Sequence, residues 1–129
     1  MCASLPGVAK MMEGIKVRVL VCGGRDFRDR QHVFSVLDAI HAKTPITCII
    51  EGGASGVDSM ARVWSTSRKV GLAEYPALWH KYGRAAGYIR NGQMLNEGFP
   101  DLVVAFPGGA GTRNMIEQAR KCNVPVELR

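Results

Sequence analysis

Three times in this chain an apolar run ends in a glycine pair, and each time a helical pattern follows. Val19-Leu20-Val21-Cys22 runs into Gly23-Gly24, and Ile46 to Glu51 runs into Gly52-Gly53. Leu102 to Pro107 runs into Gly108-Gly109. Short, near-continuous β-branched runs are suited to strands covered on both faces, and strands alternating with helices specify a parallel sheet between two helical layers. Right-handed crossovers leave few ways to wind such a sheet. The expected fold is therefore α/β: a three-layer, Rossmann-like, doubly wound parallel sheet of about five strands. Where the winding reverses, the turns after the first and fourth strands become neighbours across a crevice. The expectation is that all three glycine pairs line one pocket there.

The remaining elements follow from periodicity and caps. Lys16 to Cys22 reads as the first strand, and Asp29 as the cap of a helix from about Arg30 to Ala42, with Val33, Val36, Leu37 and Ile40 inward. His32 and His41 lie off that stripe and read as solvated. Ser55 is the candidate cap of a second helix, with Val57, Met60, Ala61 and Trp64 on its inner face. Leu72 to Pro76 is a weak third strand and Ala77 to Gly83 a loop. A third helix spans about Arg84 to Asn96, although Gly87 and Gly92 make it an indifferent helix former. The last helix reaches about Lys121, and Val124-Pro125-Val126 fits an edge strand, where proline is tolerated.

The final turn, Pro107-Gly108-Gly109-Ala110-Gly111-Thr112, carries the most chemistry. A glycine-rich turn opening a helix presents bare backbone N–H groups to an anion. Thr112 can cap that helix and offer its hydroxyl to the same anion. The turn lacks the lysine of a Walker loop, and Asn114 stands where the dinucleotide fingerprint needs its third glycine. Arg25, Arg84, Arg90 and Arg113 stand beside the turns or on the third helix, where planar guanidinium groups can clamp a phosphate. Glu51, at a strand end, accepts either from a ribose hydroxyl or from backbone N–H groups of its own turn. Asp58 reads as a first-turn carboxylate favoured by the helix dipole. Trp79 and Tyr82 either stack on a base or cover the edge of the core. His80 reads as an ordinary loop histidine, and no nucleophile-elbow pattern joins it to Ser55 and Asp58.

Composition narrows the function classes. A chain of 129 residues with 47% apolar and 22% charged residues is expected to form one domain over residues 15–129, preceded by a loosely ordered extension at 1–14. No apolar run reaches membrane-span length, and residues 1–14 lack the pattern of a signal peptide. The four cysteines are scattered, without the spacing of a zinc site or a disulfide framework, so the expected setting is cytoplasmic, with no metal and no membrane. The formal charge of +6 suits an anionic partner, but no basic run interleaved with aromatics marks a nucleic-acid groove.

The ordered motifs resemble those of a known group. Gly23-Gly24-Arg25-Asp26, Gly53-Ala54-Ser55-Gly56-Val57-Asp58, Tyr82 to Asn91 and Pro107 to Thr112 together resemble the SMF/DprA–LOG (SLOG) superfamily, nearest its YspA-like, YpsA-related branch. The resemblance runs from about Val17 to Val126. It implies a Rossmann-like fold that binds a nucleotide or nucleotide-derived ligand at its glycine loops. The LOG branch comprises phosphoribohydrolases, which cleave the N-glycosidic bond of nucleoside 5′-monophosphates using an arginine and a glutamate. Arg90 matches that arginine, Asn91 replaces the lysine beside it, and Met115 fills the glutamate position. LOG-type relatives form dimers, which makes a homodimer an expectation by analogy.

These readings give an expected site. Gly23, Gly24, Arg25, Gly52, Gly53, Ser55, Pro107, Gly108, Gly109, Ala110, Gly111, Thr112, Arg90 and Asn91 would contact the ligand. Arg90 and Glu51 are the candidate catalytic pair. The leading expectation is binding of a nucleoside phosphate or an ADP-ribose-like ligand, as in a sensor, with no further cofactor required. The first alternative is a phosphoribohydrolase-like enzyme. The second is single-stranded nucleic-acid binding as in DprA, with nucleic acid the less favoured partner.

Overall fold

A computed structural model describes residues 15–129, so the extension expected at residues 1–14 lies outside the described residues. Five strands form one sheet: β1 (Val17–Cys22), β2 (Ile46–Glu51), β3 (Gly71–Glu74), β4 (Leu102–Ala105) and β5 (Val126–Leu128). Their order is β3-β2-β1-β4-β5 and every neighbouring pair is parallel. The chain therefore winds outward from β1 in both directions, and the reversal falls between β1 and β4.

Alternation along β1 shows how one sheet serves two cores. Val19 and Val21 face a cluster containing Val33, Leu37, Ala61 and Trp64, supplied by α1 (Arg30–Lys43) and α2 (Val57–Ser67). Leu20 and Cys22 face the opposite cluster with Met94, Leu95, Met115 and Ala119, supplied by α4 (Ala86–Gly98) and α5 (Ala110–Lys121). Strand residues of successive sign point to opposite faces, so the continuous apolar run of β1 is what a doubly covered strand requires. Among the described residues no helix is long and apolar enough to cross a membrane.

Several local expectations are corrected. Residues 77–83 are not a plain loop: a single helical turn, α3 (Trp79–Tyr82), leads into a 3-10 turn at Gly83–Ala85, which displaces the start of α4 to Ala86. Ser55 does not cap α2. That place belongs to Gly56, and the Ser55 hydroxyl instead donates to the Arg25 carbonyl at 3.3 Å. Thr112 is not the cap of α5 either; it sits inside the first turn, after Gly109. The two α1 histidines are tied down rather than solvated. The Ile46 N–H donates to His41 Nδ1 at 2.9 Å, and His32 Nε2 pairs with the Arg129 carbonyl at 2.8 Å. The edge strand begins one residue after Pro125, whose carbonyl accepts from Val103 N–H at 2.9 Å. Asp29 does cap α1, accepting from His32 N–H at 3.0 Å.

Candidate functional site

At the carboxyl edge of the sheet the turn after β1 is bonded to both of the others. Gly24 N–H donates to the Pro107 carbonyl at 2.8 Å, and the Gly24 carbonyl accepts from Val57 N–H at 3.2 Å. Such close backbone approach explains much of the glycine. A Cβ at Gly23 would come within 2.5 Å of Val57 Cγ2, and one at Gly108 would overlap the Thr112 hydroxyl. These residues are small because the turns press on one another, which is a folding requirement before it is a binding one.

Beside this junction lies a cavity of about 430 Å³, within the range of small-molecule sites. The β1 turn gives it Cys22, Gly23, Gly24 and Arg25, and the last turn gives Gly109, Ala110, Gly111 and Thr112. The α4 helix contributes Gly87, Arg90, Asn91 and Met94, at the spacing of one helical face. Ala54, Asp58, Trp79, Arg84 and Tyr88 complete the wall. Pro107 and Gly108 turn away and line a separate groove with Phe106 and Leu128. Gly52, Gly53, Ser55 and Glu51 are not on the cavity wall, so of the three glycine pairs only Gly23-Gly24 reaches it whole, joined by Gly109 of the third pair. Arg113 also faces away, toward Ile116 and Leu128, and His80 is absent from the wall.

Gly109 and Gly111 differ from the other glycines in the turns. A Cβ at either would meet no heavy atom within 4 Å. Neither has the positive φ that would demand glycine. No side chain caps α5, and its first intrahelical donor is Arg113 N–H, bonded to the Gly109 carbonyl at 3.0 Å. The earlier N–H groups of a helix have no intrahelical partner, and they carry the positive end of the helix dipole.

Arginines set the electrostatics. Among the described residues none of Arg25, Arg84 and Arg90 forms an ion pair. Arg90 is committed to the fold in another way: its Nη1 donates to the Gly52 carbonyl at 2.5 Å and its Nε to Asn91 Oδ1 at 3.2 Å. A Cβ at Gly52 would overlap this guanidinium, so Gly52 makes room for Arg90 rather than for a ligand. Buried Asn91 also donates to the Gly111 carbonyl and to Asn114 Oδ1, each at 3.1 Å. Asn91 thereby links the arginine to the mouth of α5.

Two carboxylates stand behind this arrangement. Asp58 Oδ2 accepts from Gly52 N–H at 3.1 Å and Ala54 N–H at 3.2 Å, so it holds the second turn. Burial pushes its pKa up to about 6, against those N–H bonds and the Arg90 charge. Glu51 has no exposed surface; its Oε1 accepts from Gly53 N–H at 2.5 Å, and among the described residues its Oε2 has no hydrogen-bond partner. Burial, and then the Glu74 carboxylate, push Glu51 up to about 8. Cys22 is neutral flooring: burial, with Asp58 adding to it, pushes the thiol up to about 12, which removes it as a nucleophile. Among the described residues no three His, Cys, Asp or Glu side chains are grouped as metal ligands would be.

Both acids bind protons more tightly in the folded chain than in the unfolded one. The stability they contribute is complete below about pH 4 and is lost as pH rises through about 6 for Asp58 and about 8 for Glu51. Glu51→Gln keeps the acceptor to Gly53 and removes the ionisation. Its melting temperature minus that of the wild type is therefore expected to grow from pH 5 to pH 8. Thermal melts across that range would refute this if the difference stayed flat.

Sequence reasoning placed Trp79 and Arg84 near the site without assigning them, and omitted Gly87, Tyr88 and Met94. The usable signal was the 87, 90, 91, 94 spacing, which marks one face of α4 once Arg90 is singled out.

Comparisons with known proteins agree with this picture of the fold. A family model described as the YspA, cpYpsA-related SLOG family matches residues 17–82, from β1 through α3. The Gene 61 protein of Mycobacterium phage D29 is 36% identical over 117 residues, which cover 84% of this chain and 93% of the phage protein. With half of its length matched by the model and a relative of this similarity, the chain belongs to the YspA, cpYpsA-related SLOG family.

Proposed function

We propose that the protein binds a nucleotide or nucleotide-derived phosphate ester in the cavity between the β1 turn and the start of α5, as a binding or sensing module. The observation that carries this reading is the pair Gly109 and Gly111, whose missing side chains neither the backbone nor the packing requires. Open main chain at an uncapped helix start admits an anion to the free N–H groups. Arg25 and Arg84 stand on the same wall without an ion pair among the described residues, and the Asp58 charge is the one carboxylate on that wall to set against three arginines. A phosphate ester balances that excess.

A calorimetric and thermal-shift panel of AMP, ADP, ATP, NAD and ADP-ribose tests the reading. A ligand at 100 times its dissociation constant stabilises the native state by about 2.7 kcal/mol. Gly111→Leu serves as the companion variant, because leucine is a strong helix former and its Cβ would meet no heavy atom within 4 Å. It is expected to melt within a few degrees of the wild type yet bind the best probe at least roughly tenfold more weakly. Equal affinity in the variant would place the anion elsewhere.

Asp58 favours one second reading. A carboxyl group on the wall with its pKa raised to about 6 can exchange a proton near neutral pH, as cleavage of a ribosyl bond by a nucleotide N-glycosidase would need. Incubation with each nucleoside 5′-monophosphate, followed by chromatography for free base, decides it. Release that disappears in Asp58→Asn would make the protein an enzyme, and no release at high protein concentration ends that reading.

A further inference from the structure

Two aromatic rings on the cavity wall, Trp79 and Tyr88, are each 48% exposed. Large aromatic side chains ordinarily repay their size by burial, as the other tryptophan does: Trp64 has no exposed surface and donates its indole N–H to Asp38 at 2.9 Å. Trp79 belongs to neither core cluster. It lies instead near Gly87, where a Cβ would approach its Cη2 to 3.6 Å, and near the Arg25 guanidinium, whose central carbon is 5.6 Å from the ring centroid. Among the described residues nothing accepts its indole N–H. The main chain of Tyr88 is anchored, its carbonyl accepting from Gln118 Nε2 on α5 at 3.1 Å. Tyr82, on the same short helix as Trp79, is exposed but is not on the wall.

We propose that Trp79, assisted by Tyr88, recognises a heterocyclic base, so that the ligand is a base-bearing phosphate and not a sugar phosphate or an inorganic diphosphate. The inference rests on the reading of this cavity as a phosphate-ester site and adds its second half. A base offers a flat π-face of the kind the exposed indole accepts, whatever its hydrogen-bonding edge. Arg25 joins the two halves: its guanidinium lies over the Trp79 ring and, among the described residues, its N–H groups are free for phosphate. The base end and the anion end of the cavity thus share one arginine. Stacking alone selects base over no base, and it leaves the choice among bases open to the rest of the wall.

The test compares AMP, ADP and ADP-ribose with ribose 5-phosphate and inorganic pyrophosphate by calorimetry, on the wild-type chain and on Trp79→Ala, Trp79→Phe and Tyr82→Ala. The best base-bearing probe is expected to bind the wild type at least roughly tenfold more tightly than either base-free probe. Trp79→Ala should weaken that probe by roughly 5- to 100-fold and weaken the base-free probes by less, so that the ratio between them falls. Trp79→Phe should retain most of the affinity, and Tyr82→Ala all of it. Base-free probes that bind as tightly as base-bearing ones, or a Trp79→Ala variant that leaves their ratio intact, would overturn base recognition while the phosphate site stood. No binding of any probe at millimolar concentration would overturn both.

Discussion

Replacing Gly56 with alanine is expected to destabilise the fold by roughly 3–5 kcal/mol and to lower the melting temperature by roughly 10–20 °C. Gly56 starts α2 at φ +72 and ψ −126, a backbone conformation that glycine alone enters without strain. Strain at such a position costs about 1–3 kcal/mol. The second contribution is steric. A Cβ there would overlap the Gly24 carbonyl oxygen and come within 2.6 Å of the Arg25 carbonyl carbon. Backbone cannot step aside as a side chain can, so α2 would have to withdraw from the β1 turn. That withdrawal would break the Val57 N–H bond to the Gly24 carbonyl and carry Arg25 away from the cavity. Denaturant melts and nucleotide titrations should therefore show stability and affinity falling together. A variant of wild-type stability would mean that the turns are not in the contact described.

Much of the fold was legible because its signals are local and repeated. The β1 run, the α2 stripe of Val57, Ala61 and Trp64, and the Asp29 cap each follow from spacing that no distant residue can change. The reversal between β1 and β4 follows from winding rules applied to those elements. The site was less legible, because one residue type answers to two different demands. Glycine at 23, 52, 56 and 108 accommodates Val57, the Arg90 guanidinium, the β1 turn and the Thr112 hydroxyl respectively. In the sequence these are indistinguishable from Gly109 and Gly111, which face open space. Glu51 shows the same ambiguity. A carboxylate at a strand end can point into a crevice or fold back on its own turn, and here it folds back, to Gly53 N–H. The helical turn at Trp79–Tyr82 escaped notice because four residues are too few for periodicity to register.

The second large effect concerns Met115, at the position where the phosphoribohydrolase pattern carries glutamate. Met115→Glu is expected to cost about 3–5 kcal/mol and to release no free base from any nucleoside 5′-monophosphate. Met115 has no exposed surface and packs in the cluster of Leu20, Cys22, Ile50, Met94 and Ala119, none of which carries a charge. A carboxylate placed among these apolar side chains would be desolvated, and its pKa would rise. Cys22 and Met94, not Met115, are the members of this cluster that reach the cavity wall, so the new carboxyl group would lie behind that wall. Met115→Leu is the control for packing alone and should cost less than about 1.5 kcal/mol. Urea melts of the two variants beside the wild type, with the free-base assay run on all three, separate the possibilities. Should Met115→Glu match the wild type in stability and liberate base, the methionine would stand at the edge of the reaction site. The chain would then be one substitution from hydrolase chemistry. A strongly destabilised and inactive variant would mean instead that the helix α5 has given this position to the core.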